Sequence, residues 1–129
     1  MAIREATIAL DFDGTVVTHA YPEVGEDIGA VPVLKELVAQ GDKLILWTMR
    51  SDHLLEEAVA WFRKHDIPLW AINENPTQQR WTSSPKLHAD LLIDDSALGC
   101  PTCFLDGERR PSADWRRIRE MLVRMGYLD

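Results

Sequence analysis

The sequence lacks the features that would remove it from the class of ordinary globular domains. Glycine and proline number only seven each, which excludes collagen-like and low-complexity chains. Two cysteines are present, and one such pair cannot complete a zinc site. No apolar run approaches the roughly 18 residues of a membrane span, and Arg4 and Glu5 interrupt the N-terminal stretch that a signal peptide would need. We therefore expect a cytoplasmic protein without a membrane segment.

Basic residues are also in short supply. Lys and Arg together number 14 against 21 Asp and Glu, a net charge of −7. This balance argues against broad electrostatic binding to nucleic acid or anionic lipid. The 129 residues fit a single domain over positions 1–129. The excess of carboxylates is tolerable if some of them share a divalent cation.

Short apolar runs alternate with longer amphipathic stretches along the chain. The predicted strands are residues 6–10, 43–48, 69–72, 91–94 and, more weakly, 103–105. The predicted helices cover about 31–38, run from Ser51 to near Pro68, and begin at Ser112, the last with an inward stripe of Trp115, Ile118, Leu122 and Met125. This order predicts an α/β fold, a Rossmann-like three-layer sandwich with a mainly parallel five-stranded sheet.

Polar side chains follow three of the predicted strands. Because ligands bind outside the carboxyl ends of parallel strands, these side chains are expected at one edge of the sheet. Lys86 precedes the fourth strand and is predicted to reach the same edge. The side chains at the strand ends are Asp11, Asp13, Thr48, Asp94 and Asp95.

Four carboxylates in one crevice repel each other unless they are protonated or bind a metal, and all-oxygen ligation suits Mg²⁺. A phosphate could then bridge the metal, Lys86, the Thr48 hydroxyl and the N–H groups that follow Asp11. One carboxylate can attack the phosphorus, and a second can protonate the leaving oxygen and later deprotonate water. The pattern therefore favours phosphomonoester hydrolysis through an aspartyl-phosphate.

Four segments in order resemble the four motifs of the haloacid dehalogenase-like (HAD) superfamily: DFDGTV at 11–16, LWT at 46–48, Lys86, and LIDD at 92–95. The resemblance implies that Asp11 is the nucleophile and Asp13 the general acid/base. It implies a Mg²⁺ site made by the carboxylate of Asp11, the main-chain carbonyl of Asp13, Asp94 and Asp95, the last directly or through water. The implied phosphate-binding set is Asp11, Phe12, Asp13, Thr48, Met49 and Lys86.

The segments between these motifs are too short for a cap domain. Residues 15–21 suffice for a hairpin flap, and the stretch between Thr48 and Lys86 is used up by one helix, one strand and the polar segment 73–85. The chain is therefore similar to the small capless members of the superfamily. An open site implies either a large phosphorylated substrate or a homo-oligomer in which a neighbouring subunit acts as the lid.

Other functions stay open at this stage. The chain could be a catalytically idle domain that binds a phosphorylated partner, or a nucleic-acid end phosphatase, the minority interpretation given the acidic charge. Cys100 and Cys103 have the spacing of redox and zinc sites, although incidental cysteines are favoured. Arg50 and His19 are candidates for contacts with the leaving group. Trp81 could flank a substrate ring, although packing on its own domain is favoured.

Overall fold

A parallel sheet forms the centre of the protein, in a computed structural model that describes residues 5–129; Arg4 lies outside the described residues. The strand order is β3-β2-β1-β4, and every neighbouring pair is parallel. The strands are β1 (Thr7–Leu10), β2 (Lys43–Leu46), β3 (Ala71–Ile72) and β4 (Leu91–Ile93). The predicted α/β class and parallel sheet are confirmed, although each of the four strands is shorter than predicted.

Two further strands pair with each other instead of joining this sheet. They are β5 (Thr102–Cys103) and β6 (Ser112–Ala113), which run antiparallel. The prediction of a five-stranded sheet is therefore wrong for the described residues. A parallel neighbour needs a crossover of about a dozen residues or more, whereas only residues 94–101 separate β4 from β5.

The helices follow the predicted order. They are α1 (Ala30–Ala39), α2 (Asp52–Lys64) and α3 (Trp115–Arg124). Within the described part of the chain, no helix is long and apolar enough to cross a membrane.

Side chains from all three helices pack on one face of the sheet. Leu34 of α1, Phe62 of α2 and Trp115 of α3 share one buried cluster with Ile8 and Leu46. The crossovers from β1 to β2 and from β2 to β3 move in the same direction, so right-handed connections bring α1 and α2 to the same face.

The opposite face is covered by a loop. There Ala9 and Ile45 pack against Leu87, with Trp47 and Trp70 partly buried around them. The connection from β3 to β4 reverses direction across the sheet and so crosses this face, but residues 73–90 contain only a 3-10 turn at Gln78–Arg80. The third layer of the predicted sandwich is therefore this irregular segment.

The start of α3 corrects another prediction. Ser112 lies in β6, fully buried, and its hydroxyl has no hydrogen-bond partner in the described chain. Asp114 caps the helix instead, accepting a hydrogen bond from the N–H of Arg117 at 3.3 Å. Met125, predicted to face inward, ends the helix and is half exposed. The remainder of the predicted stripe is buried: Trp115, Ile118 and Leu122.

Candidate active site at the carboxyl edge of the sheet

Three carboxylates meet where β1 and β4 end. Leu10 pairs with Ile93 in the sheet, and the N–H of Asp11 continues the ladder by donating to the carbonyl of Ile93 at 3.0 Å. Each strand thus delivers its next residues to the same place. One carboxylate oxygen from each of Asp11, Asp94 and Asp95 lies within 4.8 Å of the others. This is a spacing at which all three could bind one metal ion.

The hydroxyl of Thr15 joins two of these carboxylates. It lies 2.8 Å from Oδ2 of Asp11 and 3.0 Å from Oδ1 of Asp95, and it accepts the N–H of Asp95 at 2.9 Å. Thr15 is fully buried, and its carbonyl accepts the indole N–H of Trp115 at 2.5 Å. The side chain therefore fixes the relative position of the two strand ends. Sequence reasoning assigned Thr15 no function, although it lies inside the first motif.

Asp11 is strongly perturbed by its surroundings. Burial raises the pKa of its carboxyl from 3.8 to about 7, helped by the negative charges of Asp94 and Asp95 and opposed by the hydrogen bond from Thr15. A bound cation would have the opposite effect, since it favours the ionised form. The raised pKa is thus due first to burial and in smaller part to the neighbouring carboxylates.

Asp13 is held apart from this group of carboxylates. Its Oδ2 accepts Nε–H of Arg50 at 2.8 Å, and its Oδ1 accepts an Nη2 hydrogen at 2.7 Å. Arg50 is almost fully buried and also donates to the carbonyls of Pro22, Glu23 and Leu54. The predicted contact of Arg50 with a leaving group is replaced by this pairing with Asp13. No sequence pattern marks a buried arginine of this kind.

Thr48 and Met49 lie on the other side of the cavity, after β2. The N–H of Thr48 donates to Oδ1 of Asn73 at 2.8 Å, and its hydroxyl accepts the N–H of Arg50 at 3.1 Å. The main-chain N–H groups of Phe12, Asp13 and Met49 donate no hydrogen bond to the described part of the chain. They are three donors of the predicted phosphate-binding set that keep their capacity to bind an anion.

Lys86 is the predicted site residue that the structure does not bring to the others. Its side chain is exposed and does not line the cavity that contains the carboxylates. The carbonyl of Lys86 accepts a hydrogen bond of 2.6 Å from the amide of Gln78, which ties this residue to the loop behind the sheet.

His19 closes the cavity from the flap side. Its Nε2 lies 3.0 Å from the carbonyl of Pro111 and 3.3 Å from Oδ2 of Asp95. The ring sits directly over Gly14, where a Cβ would come within 2.0 Å of it, and Gly14 has a φ of +78°. His19 therefore joins the flap to the β5–β6 hairpin.

The cysteine pair forms no disulfide. Cys100 and Cys103 are both free thiols. Burial raises the pKa of the Cys100 thiol, an effect that outweighs a hydrogen bond with the backbone of Asp94. A raised pKa disfavours the thiolate that redox and metal chemistry require.

Trp81 is also away from the carboxylates. It is 64% exposed and touches the ring of His88 edge-on, with 5.3 Å between ring centres. It lies in the segment that covers the back face and does not line the cavity. Its contact with His88 agrees with packing on its own domain.

The cavity around these groups has a volume of about 760 Å³. It combines the acidic groups from both strand ends with a rim of polar and apolar side chains. Its walls are formed by Asp11, Asp13, His19, Tyr21, Thr48, Met49, Arg50, Asp94, Asp95, Ser96 and Arg110.

Fold and site together define an α/β protein with an acidic cavity at the carboxyl edge of a parallel sheet. No protein-family model matches the chain, and no curated protein matches it. It is similar to a solved structure of a conserved protein coded by a locus of Bacteroides thetaiotaomicron. The two share 39% identity with a TM-score of 0.77, over 95% of this chain and 93% of that one. The chain belongs to the same protein family as this conserved Bacteroides protein.

Proposed function

We propose that the protein is a Mg²⁺-dependent phosphomonoester hydrolase, a capless member of the HAD superfamily that works through an aspartyl-phosphate on Asp11. The meeting of Asp11, Asp94 and Asp95, with oxygens within 4.8 Å of one another, carries this proposal. The four-stranded sheet and separate hairpin would then be a reduced form of the five-stranded Rossmann-like core expected from the resemblance.

The donor set fits a hard divalent cation. Three carboxylates supply only oxygen ligands, which Mg²⁺ prefers, and their mutual repulsion, a smaller cause of the raised pKa of Asp11 than its burial, is one that a cation would offset. Asp11, Asp94 and Asp95 would hold Mg²⁺ with the main-chain carbonyl of Asp13, because the carboxylate of Asp13 is bound by Arg50. When bound, Mg²⁺ would neutralise charge on the phosphoryl oxygens.

In the first step an oxygen of Asp11 attacks phosphorus, and the bond from phosphorus to the leaving oxygen breaks. Asp13, two positions away, would enter this step protonated and supply the proton that this oxygen needs, with one of its oxygens carrying that proton in place of a hydrogen bond from Arg50. The free N–H groups of Phe12, Asp13 and Met49 would bind the phosphoryl oxygens, together with the hydroxyl of Thr48.

In the second step Asp13 takes a proton from water, which attacks the phosphorus and breaks its bond to Asp11. Inorganic phosphate leaves and the Asp11 carboxylate is regenerated. The two hydrogen bonds from Arg50, at 2.7 and 2.8 Å, fit the ionised form of Asp13 and would hold this carboxylate in place as the base that takes the proton from water.

One observation favours a second candidate, an idle domain that binds a phosphorylated partner. Lys86, the cation expected beside the transferred phosphoryl group, is exposed and away from the cavity. A site without that cation would bind a phosphate through its N–H groups and metal and would stabilise a transition state less well.

Phosphate release from a panel of monoesters decides between the two. Sugar phosphates, nucleotides, a phospho-oligonucleotide and a phosphopeptide are tested with Mg²⁺ or EDTA on the wild type and Asp11→Asn. We expect Mg²⁺-dependent turnover that falls by about three orders of magnitude in Asp11→Asn. Asp106→Asn, a change in an exposed loop outside the cavity, is the matched control and should leave turnover unchanged.

Release that equals the Asp11→Asn background on every panel member would reject the phosphatase. Mg²⁺-dependent binding of one of these phosphate compounds without turnover would then establish the idle domain. Activity that falls steeply with salt only on the phospho-oligonucleotide would identify a nucleic-acid end phosphatase.

A further inference from the structure

The cavity extends well beyond the carboxylates. Its volume of about 760 Å³ far exceeds what one ion and one phosphoryl group would fill, since a water molecule accounts for about 30 Å³ of liquid. The surplus space is bounded at the rim by Tyr21, Met49 and Arg110. These three side chains have no part in the proposed phosphoryl transfer and would face the leaving group.

Two of the rim residues are apolar and exposed. Met49 is 98% exposed and Tyr21 59% exposed. The Tyr21 ring lies over the guanidinium of Arg50, 5.2 Å from its centre. Thioether and aromatic side chains are those that pack well against a flat ring. Their exposure at the cavity that Thr48 also lines fits an apolar, planar group in the substrate.

The third rim residue is a cation without a partner. Arg110 is exposed and makes no ion pair or hydrogen bond within residues 5–129. It lines the same cavity as four carboxylates, yet Arg50 is the arginine that pairs with one of them. Its charge is therefore available to an anion, and a guanidinium suits phosphate or carboxylate oxygens.

The backbone beside Arg110 is fixed in place. The next residue, Pro111, accepts a hydrogen bond from His19 at 3.0 Å when that nitrogen carries the proton. Ala113 of β6 donates its N–H to the carbonyl of Gly14 at 2.9 Å. The hairpin that carries Arg110 is thus attached to the loop that follows Asp13. The main chain at Arg110 therefore has a fixed position from which its side chain extends to the cavity.

We infer that the leaving group of the substrate carries both a flat aromatic ring, held by Tyr21 and Met49, and a second anionic group, held by Arg110. A nucleotide with a phosphate beyond the scissile one has this chemistry. The inference rests on the proposed phosphatase function, because it assigns the scissile phosphate to Asp11.

Four phosphate compounds separate the two features. Adenosine 3′,5′-bisphosphate has the ring and the second anion, adenosine 5′-monophosphate has the ring alone, 2,3-bisphosphoglycerate has the anion alone, and glycerol phosphate has neither. Dissociation constants are measured by calorimetry with Mg²⁺ on Asp11→Asn, so that no compound is consumed. Phosphate release on the wild type is measured in parallel.

We expect the bisphosphorylated nucleotide to bind about tenfold more tightly than the compound with the ring alone and than the compound with the second anion alone. Arg110→Gln should reduce its advantage over the compound with the ring alone, and Met49→Ala its advantage over the compound with the anion alone. Arg110→Gln should weaken the two compounds with a second anion about tenfold and change the others less than twofold. Met49→Ala should weaken the nucleotides alone. Arg109→Gln, the neighbouring arginine that does not line the cavity, is the control and should change nothing.

Equal weakening of all four compounds by Arg110→Gln would overturn the inference, because it would place the guanidinium on the scissile phosphate. Equal affinities for the four compounds would overturn it as well. The expected binding pattern without Mg²⁺-dependent turnover would reject the phosphatase alone and leave the ligand selectivity established, so the two failures are distinguishable.

Discussion

Arg50 donates two parallel hydrogen bonds to the carboxylate of Asp13, of 2.8 Å from Nε and 2.7 Å from Nη2. Arg50 is 2% exposed, and the central carbon of its guanidinium lies 5.2 Å from the ring centre of Phe12 and 5.2 Å from that of Tyr21. Three main-chain carbonyls accept its remaining hydrogens. Because every N–H group of this buried guanidinium has an acceptor, the guanidinium is fixed and holds the carboxylate of Asp13 in one orientation.

Arg50→Lys is expected to lower kcat by about 10- to 100-fold with a smaller change in KM. A lysine keeps the charge but cannot make the paired hydrogen bonds, so Asp13 would lose its fixed direction. Steady-state phosphate release on the best substrate of the panel measures this loss. In an Asp13→Asn background the same change should have little further effect, because the two residues act as a unit. Additive losses in the double variant would show that Arg50 acts independently of Asp13.

Thr15→Val is expected to weaken Mg²⁺ binding and turnover by about 10-fold or more, since partners that orient metal ligands contribute 10- to 100-fold. Valine has nearly the shape of threonine but lacks the hydroxyl that lies 2.8 Å from Asp11 and 3.0 Å from Asp95. Titration of Mg²⁺ against activity gives the apparent affinity. Thr15→Ser keeps the hydroxyl and should retain most of the function. Equal losses in both variants would point to packing as the cause.

The stability of the metal-free protein should depend on pH through Asp11. Its pKa is about 7 in the folded chain against 3.8 for an unperturbed carboxyl, so between these values the folded chain keeps a proton that the unfolded chain has lost. This group therefore lowers the free energy of unfolding as pH rises from about 4 to about 7, and the loss is complete above pH 7.

Urea unfolding in EDTA across this range, for the wild type and Asp11→Asn, isolates the contribution of Asp11. The stability of the wild type relative to the variant should decrease with rising pH. Mg²⁺ added at pH 8 should restore stability to the wild type, by about 2.7 kcal/mol at a concentration 100 times its Kd. A difference between the two proteins that stays constant with pH would contradict the predicted titration.

Gly14→Ala should destabilise the fold by more than its backbone conformation alone explains. The φ of +78° is unfavourable for alanine, and the new Cβ would also meet the His19 ring at 2.0 Å. Gly107→Ala is a matched comparison, because Gly107 has a φ of +80° with nothing within 4 Å of an added Cβ. The difference in unfolding free energy between the two variants, about 1–3 kcal/mol, measures the displacement of His19. Equal destabilisation would mean that the ring moves at no cost.

The sequence predicted those parts of the molecule that depend on short-range pattern. Strand ends marked by Asp11 and Asp94 could be placed at one edge because parallel strands align their carboxyl ends. The predicted place of the fifth strand in the sheet was wrong because the apolar pattern at residues 103–105 does not specify which neighbour the strand pairs with, and the observed strand, Thr102–Cys103, pairs with β6. That choice is made by the length of the connection, which is too short for a parallel crossover.

The partners of Asp13 and Asp11 could not be predicted because they depend on packing. The sequence does not distinguish a buried arginine from a surface one, and the residues around Arg50 do not indicate that its side chain is buried. Arg110 is 97 positions along the chain from Asp13 yet lines the same cavity, a proximity created by the β5–β6 hairpin. Lys86 shows the reverse case, in which a plausible spacing leads to a side chain outside the cavity.

The position of β1 between β2 and β4 has a consequence for how the protein is made. The strand synthesised first must wait for β4, and Thr15 meets Asp95 across 80 positions of chain. Contacts of such long range form slowly, because a large loop must close before they contribute. A nascent chain that ends before β4 would have a core of helices and two or three strands but no acidic cluster. The chain would therefore bind a cation at this cluster only after β4 has been synthesised and has joined the sheet.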